Sequence, residues 1–174
     1  MSKAESKTIL VVEDEPDVRL FLSSTLTDAG FRVVTASNGM DAYNRVKESI
    51  PDLVTLDLVM PRQSGVQFYK RLRKNPKFAH VPVVIITAHA HDDLGQEDFR
   101  DIMKGIDAAP PQAVLEKPVP PVELVRKVGE LTGADVSAFV DDQLNETRGS
   151  LLEQLRGADA ATLAEVRALL EKKL

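Results

Sequence analysis

Apolar residues in this chain follow two rhythms. Short runs come first: Ile9-Leu10-Val11-Val12, Leu53-Val54-Thr55-Leu56, Val83-Val84-Ile85-Ile86 and Val114-Leu115, with Phe31 to Ala36 as a fifth. Runs of aliphatic and β-branched residues bounded by turn residues predict buried strands. Between them lie stripes at helical spacing. Glu15-Pro16 opens the first helix, with Pro favoured at the first helical position; Val18, Phe21, Leu22, Leu26 and Ala29 stripe it and Gly30 ends it. Ser37-Asn38-Gly39 supplies a cap and turn before a second helix marked by Ala42, Val46 and Ile50. Met60-Pro61 to Ser64-Gly65 reads as a loop, followed by a third helix on Val66, Tyr69 and Leu72. Phe99, Ile102, Met103 and Ile106 mark a weaker fourth; Leu124, Val125, Val128 and Leu131 mark a fifth that stops at Thr132-Gly133. Five alternating β-α units predict an α/β fold with a parallel sheet and helices on both faces.

Residues 134–174 break that alternation. They show no strand pattern, only two amphipathic helices. The first carries Val136, Phe139, Val140 and Leu144 and continues toward Leu155; Gly157 ends it. Asp159 is placed to cap the second, which bears Leu163, Val166, Leu169 and Leu170. The expected organisation is one domain over 1–133 and a helical C-terminal extension over 134–174. Forty-one residues are close to the lower limit for independent folding, so the extension's stripes need a surface. Self-association as a homodimer through these helices is preferred, with docking on the first domain or on a partner as the alternatives.

Composition narrows the classes. The chain has 174 residues, 43% hydrophobic and 28% charged, with net charge −5. No basic block stands out, so nucleic acid is not an expected partner. The absence of cysteine excludes disulfides and thiolate metal sites. The N-terminus Met-Ser-Lys-Ala-Glu-Ser-Lys is polar, and no apolar run approaches the ~20 residues of a membrane span. A cytoplasmic protein without membrane contact is expected. The extension carries eight Asp/Glu against five Lys/Arg, which does not suit a DNA-binding output module.

The residues that end the strands differ in kind. The first run meets Glu13 and Asp14, the third strand Asp57, the fourth Thr87, and the fifth, Val114-Leu115-Glu116, meets Lys117 and Pro118. In a parallel sheet these ends share one edge, where open α/β sheets place their ligands. A carboxylate can act as nucleophile toward a phosphoryl group. Its anionic donor then calls for a hard divalent cation, and Glu13, Asp14 and Asp57 offer the oxygens for one. Lys117 is a point charge for a phosphoryl oxygen, and Thr87 offers a hydroxyl. Singly, each has a structural explanation as a cap, a strand-end hydroxyl or a solvated charge. Together, four correct types at successive strand ends favour a phosphoryl site.

With these residues in view, the chain resembles the receiver domain of two-component response regulators over roughly residues 5–133. The carriers are Glu13-Asp14, Asp57 with Met60-Pro61, Thr87-Ala88 and Lys117-Pro118. The resemblance implies a flavodoxin-like, doubly wound sheet of order 2-1-3-4-5. It implies that Asp57 is the phosphoacceptor for a sensor histidine kinase or phosphotransfer protein, with signalling through contacts to a downstream protein and no other enzyme activity. Mg²⁺ is implied at Asp14, Asp57 and the backbone carbonyl of Val59, with Glu13 adding its carboxylate directly or through water, and a cis bond is implied at Lys117-Pro118. Two departures stand out: Val114 occupies a position usually aromatic in the family, and the stretch from Thr87 to Lys117 is longer than usual. Val59 and His89 fall where the family tunes dephosphorylation.

Other readings fit less well. A haloacid-dehalogenase-type phosphatase would need an acid two residues after the nucleophile, where Val59 stands. A flavodoxin-type cofactor binder would need a phosphate loop where Glu13-Asp14-Glu15-Pro16 repels phosphate. A phosphorylation-independent adaptor is the remaining alternative, and the intact acidic and Lys set argues against it. His89-Ala90-His91-Asp92-Asp93 reads as a solvated loop, and the Asn145-Glu146-Thr147 sequon has no secretion signal to serve it.

Overall fold

A computed structural model describes residues 2–3, 7–61, 64–87 and 109–171. The predicted fourth helix, with Phe99, Ile102, Met103 and Ile106, lies outside the described residues. So do His89 to Asp93 and the side chain of Leu170. The strands are β1 (Ser2–Lys3), β2 (Thr8–Val12), β3 (Arg32–Ala36), β4 (Leu53–Leu56), β5 (Val83–Thr87), β6 (Ala113–Glu116) and β7 (Ala134–Asp135). The helices are α1 (Pro16–Asp28), α2 (Gly39–Glu48), α3 (Ser64–Lys74), α4 (Pro121–Thr132), α5 (Ser137–Arg156) and α6 (Ala160–Glu171).

Strands β2 to β6 form one parallel sheet, ordered β3-β2-β4-β5-β6. Counted along the chain within that sheet, the order is 2-1-3-4-5, the flavodoxin-like order expected. Because alternate side chains face opposite sides of a sheet, each central run feeds two cores. Leu10, Val12, Val54, Leu56, Val83 and Ile85 pack beneath α2 and α3 with Ala42, Val46, Phe68, Tyr69 and Leu72. Ile9, Val11, Leu53, Val84 and Ile86 pack beneath α1 and α4 with Leu22, Leu26, Leu124, Val125 and Val128. Burial on both faces explains why the strands read as continuous apolar runs rather than alternating ones.

Several local readings hold in detail. Pro16 begins α1, and Gly30 follows it at φ 90. The Asn38 side chain caps α2 by accepting the Met40 and Asp41 amides at 3.1 and 2.9 Å. Asp159 Oδ1 accepts the Thr162 amide at 2.8 Å, which caps α6. Three readings are corrected. Ser64 and Gly65, read as loop, belong to the first turn of α3. Ile50 lies beyond the end of α2 and is 49% exposed. Residues 134–135 form a two-residue strand pairing in parallel with Ser2–Lys3, too short to show any periodicity.

The start of the extension is continuous with the second core. Ala134 is buried within it, and Val136 and Phe139 pack against it. Val140 is buried as well. Beyond it α5 and α6 are largely solvent-facing, with Leu144, Leu151, Leu152, Leu163 and Leu169 all exposed. Among the described residues no helix is long and apolar enough to cross a membrane.

Arg73 shows how a polar residue secures this fold. It sits in the last turn of α3 beside Arg71 and Lys74, yet it is buried. Its Nη1 donates to the carbonyls of Ala79 at 3.0 Å and Val81 at 2.7 Å, and its Nη2 to Gln112 Oε1 at 3.2 Å. That same oxygen accepts the Val83 amide at 2.7 Å, so one guanidinium ties α3, the return loop, β5 and the approach to β6. Arg73→Met strands these carbonyl acceptors. A loss of about 1–3 kcal/mol is expected, against under about 0.5 kcal/mol for Lys74→Met on the exposed side. Urea unfolding of the two variants measures the difference.

Candidate phosphoryl-transfer site

The sheet's hydrogen bonding runs one residue past β2, β4 and β6, and that residue carries the chemistry. The Glu13 amide donates to Ala36 O at 3.1 Å, the Asp57 amide to Val12 O at 3.0 Å, and the Lys117 amide to Thr87 O at 2.8 Å. These bonds fix the backbone of three site residues against neighbouring strands. The loop after β2 is held further by Arg19 of α1, whose Nη1 donates to Glu13 O at 2.7 Å and Asp14 O at 3.0 Å. Gly65 seats α3 against the Asp57 loop. A Cβ there would lie 2.2 Å from Asp57 O and 2.9 Å from Leu58 Cα, so no side chain fits.

Glu13, Asp14, Asp57 and Lys117 converge on this edge. One carboxylate oxygen from each of the three acids lies within 4.8 Å of the other two. Glu13 and Asp57 are buried and Asp14 half-buried. Lys117 Nζ is 2.7 Å from Asp57 Oδ2 and 2.8 Å from Glu13 Oε2. The bond to Asp57 is a directed hydrogen bond. Glu13 Oε2 is buried and faces the same ammonium, which compensates its charge. Asp57 Oδ1 accepts the Val59 amide at 2.7 Å, which fixes the carboxylate plane.

Burial pushes the Glu13 carboxyl above its ordinary value, and the Asp57 charge adds to this, while Lys117 and the Glu15 amide oppose it. For Lys117, burial alone would lower the pKa. Its hydrogen bonds and charge contacts with Asp57 and Glu13 outweigh that and raise it, so the ammonium persists through neutral pH.

Thr87 ends β5 and is buried beside this edge, its carbonyl held by Lys117. The Lys117–Pro118 bond is cis, as the resemblance implied. Val59 is 63% exposed, and its contribution visible here is the amide. Val114 faces outward on the edge strand β6. Arg19 was not singled out from sequence, since a basic residue early in α1 reads as a solvated charge.

The donor set fits a hard divalent ion. It is all oxygen, with three carboxylates gathered so that one oxygen of each lies within 4.8 Å of the others. Glu13, Asp14 and Asp57 are the side chains that would hold it.

Replacing Lys117 by Met leaves two buried carboxylates facing each other. In metal-free buffer this pushes Glu13 further up. A carboxyl whose folded pKa exceeds its unfolded value binds more protons when folded, so stability falls as pH rises through the interval between the two. Urea unfolding of Lys117→Met should therefore weaken more steeply than wild type as pH rises above 4.5 toward neutrality. Parallel pH profiles would show instead that Lys117 does not compensate Glu13.

The comparisons with known proteins agree with this geometry. The sequence profile of the response regulator receiver domain matches residues 9–129. The phosphate regulon transcriptional regulatory protein PhoB of Escherichia coli K12 is 35% identical over 148 residues, covering 85% of this chain and 61% of PhoB. Hybrid signal transduction histidine kinase D of Dictyostelium discoideum is 30% identical over 146 residues, covering 83% of this chain and 9% of that protein. The chain thus spans less than two thirds of the length of either relative. The chemotaxis protein CheY4 of Vibrio cholerae superposes with a TM-score of 0.61 at 26% identity, over 72% of this chain and 98% of that one. The chain belongs to the response regulator receiver domain family.

Proposed function

We propose that this receiver accepts a phosphoryl group on Asp57 from a sensor histidine kinase or phosphotransfer protein in the cytoplasm, with Mg²⁺, and signals through contacts with a downstream protein. The observation that carries the reading is the Asp57 carboxylate held between the Val59 amide and the Lys117 ammonium, with Glu13 and Asp14 alongside.

In the transfer, an Asp57 carboxylate oxygen attacks phosphorus while the P–N bond to the donor imidazole breaks and its electron pair returns to the ring nitrogen. The transition state spreads negative charge over the phosphoryl oxygens, so catalysis rests on positioning and compensation of charge. The hydrogen bond from the Val59 amide pre-orients the Asp57 carboxylate, which reduces the entropy cost of attack. Lys117 supplies a fixed positive charge at the same carboxylate. A divalent ion bound by Glu13, Asp14 and Asp57 would screen the repulsion between incoming phosphoryl and resident carboxylates. Thr87, at the end of the adjacent strand β5, offers the hydroxyl that would sense the product. The site is given no reaction beyond taking up and losing this group.

Intact-mass spectrometry after treatment with acetyl phosphate tests the chemistry. The unmutated chain with Mg²⁺ should gain one phosphoryl mass; Asp57→Asn should gain none, and chelation should abolish the gain. Labelling of Asp57→Asn at the wild-type level would move the nucleophile elsewhere. An unmutated chain refusing both acetyl phosphate and a phosphorylated kinase would favour the adaptor reading. Thr87→Ala should still be phosphorylated, with smaller amide shifts over residues 109–117 on activation. Full wild-type shifts in that variant would remove Thr87 from the response.

A further inference from the structure

The extension leaves the receiver with its apolar stripe uncovered. Val140 is buried, but one turn later Leu144 is 37% exposed, Leu151 50% and Leu152 60%; α6 adds Leu163 at 43% and Leu169 at 63%. From Leu144 to Arg156, α5 runs for about 20 Å, at 1.5 Å per residue, beyond its contact with the second core. Its sequence there is a weak helix former. Asn145, Thr147 and Ser150 compete for backbone hydrogen bonds, and Gly149 lies mid-helix with nothing within 4 Å of where a Cβ would stand. Such a segment owes its helicity to packing of its apolar face rather than to propensity. Among the described residues, this chain does not cover that face.

Charge says what covers it. The first half of α5 as a whole, from Ser137, is acidic, with Asp141, Asp142 and Glu146 and no base, while its second half carries Arg148 and Arg156 with Glu153 as its one acid. No ion pair engages Asp141, Asp142, Arg148 or Arg156 among the described residues. A helix with opposite charges on its two halves complements itself when a copy runs antiparallel and repels itself when parallel. An isologous pair needs that self-complementarity about a two-fold axis.

We propose that α5 and α6 form an antiparallel interface with the same helices of a second copy. Leu144, Leu151 and Leu152 are central to it, and the acids at the start of α5 face Arg148 and Arg156 of the other chain. The surface is separate from Asp57, so this inference does not rest on the phosphoryl reading.

Sedimentation velocity on the full chain, up to several hundred micromolar, tests it. A concentration-dependent dimer is expected, and Leu151→Glu with Leu152→Glu should make the chain monomeric while leaving Asp57 labelling unchanged. Two charge variants test the orientation: Asp141→Lys with Asp142→Lys, and Arg148→Glu with Arg156→Glu. Each alone should bind itself about tenfold more weakly, and a mixture should restore the dimer by pairing the two. A full chain that stays monomeric throughout would overturn the proposal, leaving the face to a different protein. Dimerisation surviving the leucine changes would move the interface elsewhere, and a mixture no tighter than its components would refute the antiparallel arrangement.

Discussion

One ammonium holds the working edge of this molecule together. Lys117 Nζ lies 2.7 Å from Asp57 and 2.8 Å from Glu13, on side chains that are 7% and 1% exposed. Two buried carboxylates at such range repel each other, and the sheet brings them there whatever their charge. Breaking a buried ion pair by removing one partner typically costs about 3–5 kcal/mol, because the remaining charge stays desolvated. In the proposed transfer, the cation that reconciles the carboxylates is also the one a phosphoryl group would meet, so structural compensation and chemistry would draw on one positive charge.

That dependence shapes the surroundings. The site cannot relax its repulsion by spreading, because the amides of Glu13, Asp57 and Lys117 are locked to neighbouring strands. Nor can the loops drift apart, because Arg19 holds the Glu13–Asp14 backbone and Gly65 lets α3 close on Asp57. Preorganised charges in a partly buried site reorganise little as charge develops, and this is what such a frame would contribute to the proposed transfer.

Much of this was legible in the sequence because a parallel sheet buried on both faces writes itself as continuous aliphatic runs. Ile9 to Val12 and Val83 to Ile86 could hardly be anything else, and the polar residue after each run marks the edge. Asp14, Asp57 and Lys117 were thus readable as a set. Arg73 was not, because Arg71 and Lys74 occupy the same helix turn and only tertiary packing tells which cation is buried. Ser64 and Gly65 resembled loop because the close approach of α3 to Asp57 demands glycine where propensity alone would suggest a turn. The pairing of Ala134–Asp135 with Ser2–Lys3 spans two residues, fewer than one period of any pattern.

The extension lies at the limit of such reading for a physical reason. Periodicity reveals that a helix has an apolar face, but not what that face meets. In α2, α3 and α4 the answer is the sheet, and their stripes are buried. In α5 the stripe begins on the core at Phe139 and Val140 and then outruns it, so one pattern is core for its first turn and surface thereafter. Hydrophobicity is non-directional and cannot choose an occupant, whereas charge is signed. The segregation of Asp141, Asp142 and Glu146 from Arg148 and Arg156 is what turns an exposed stripe into a statement about orientation.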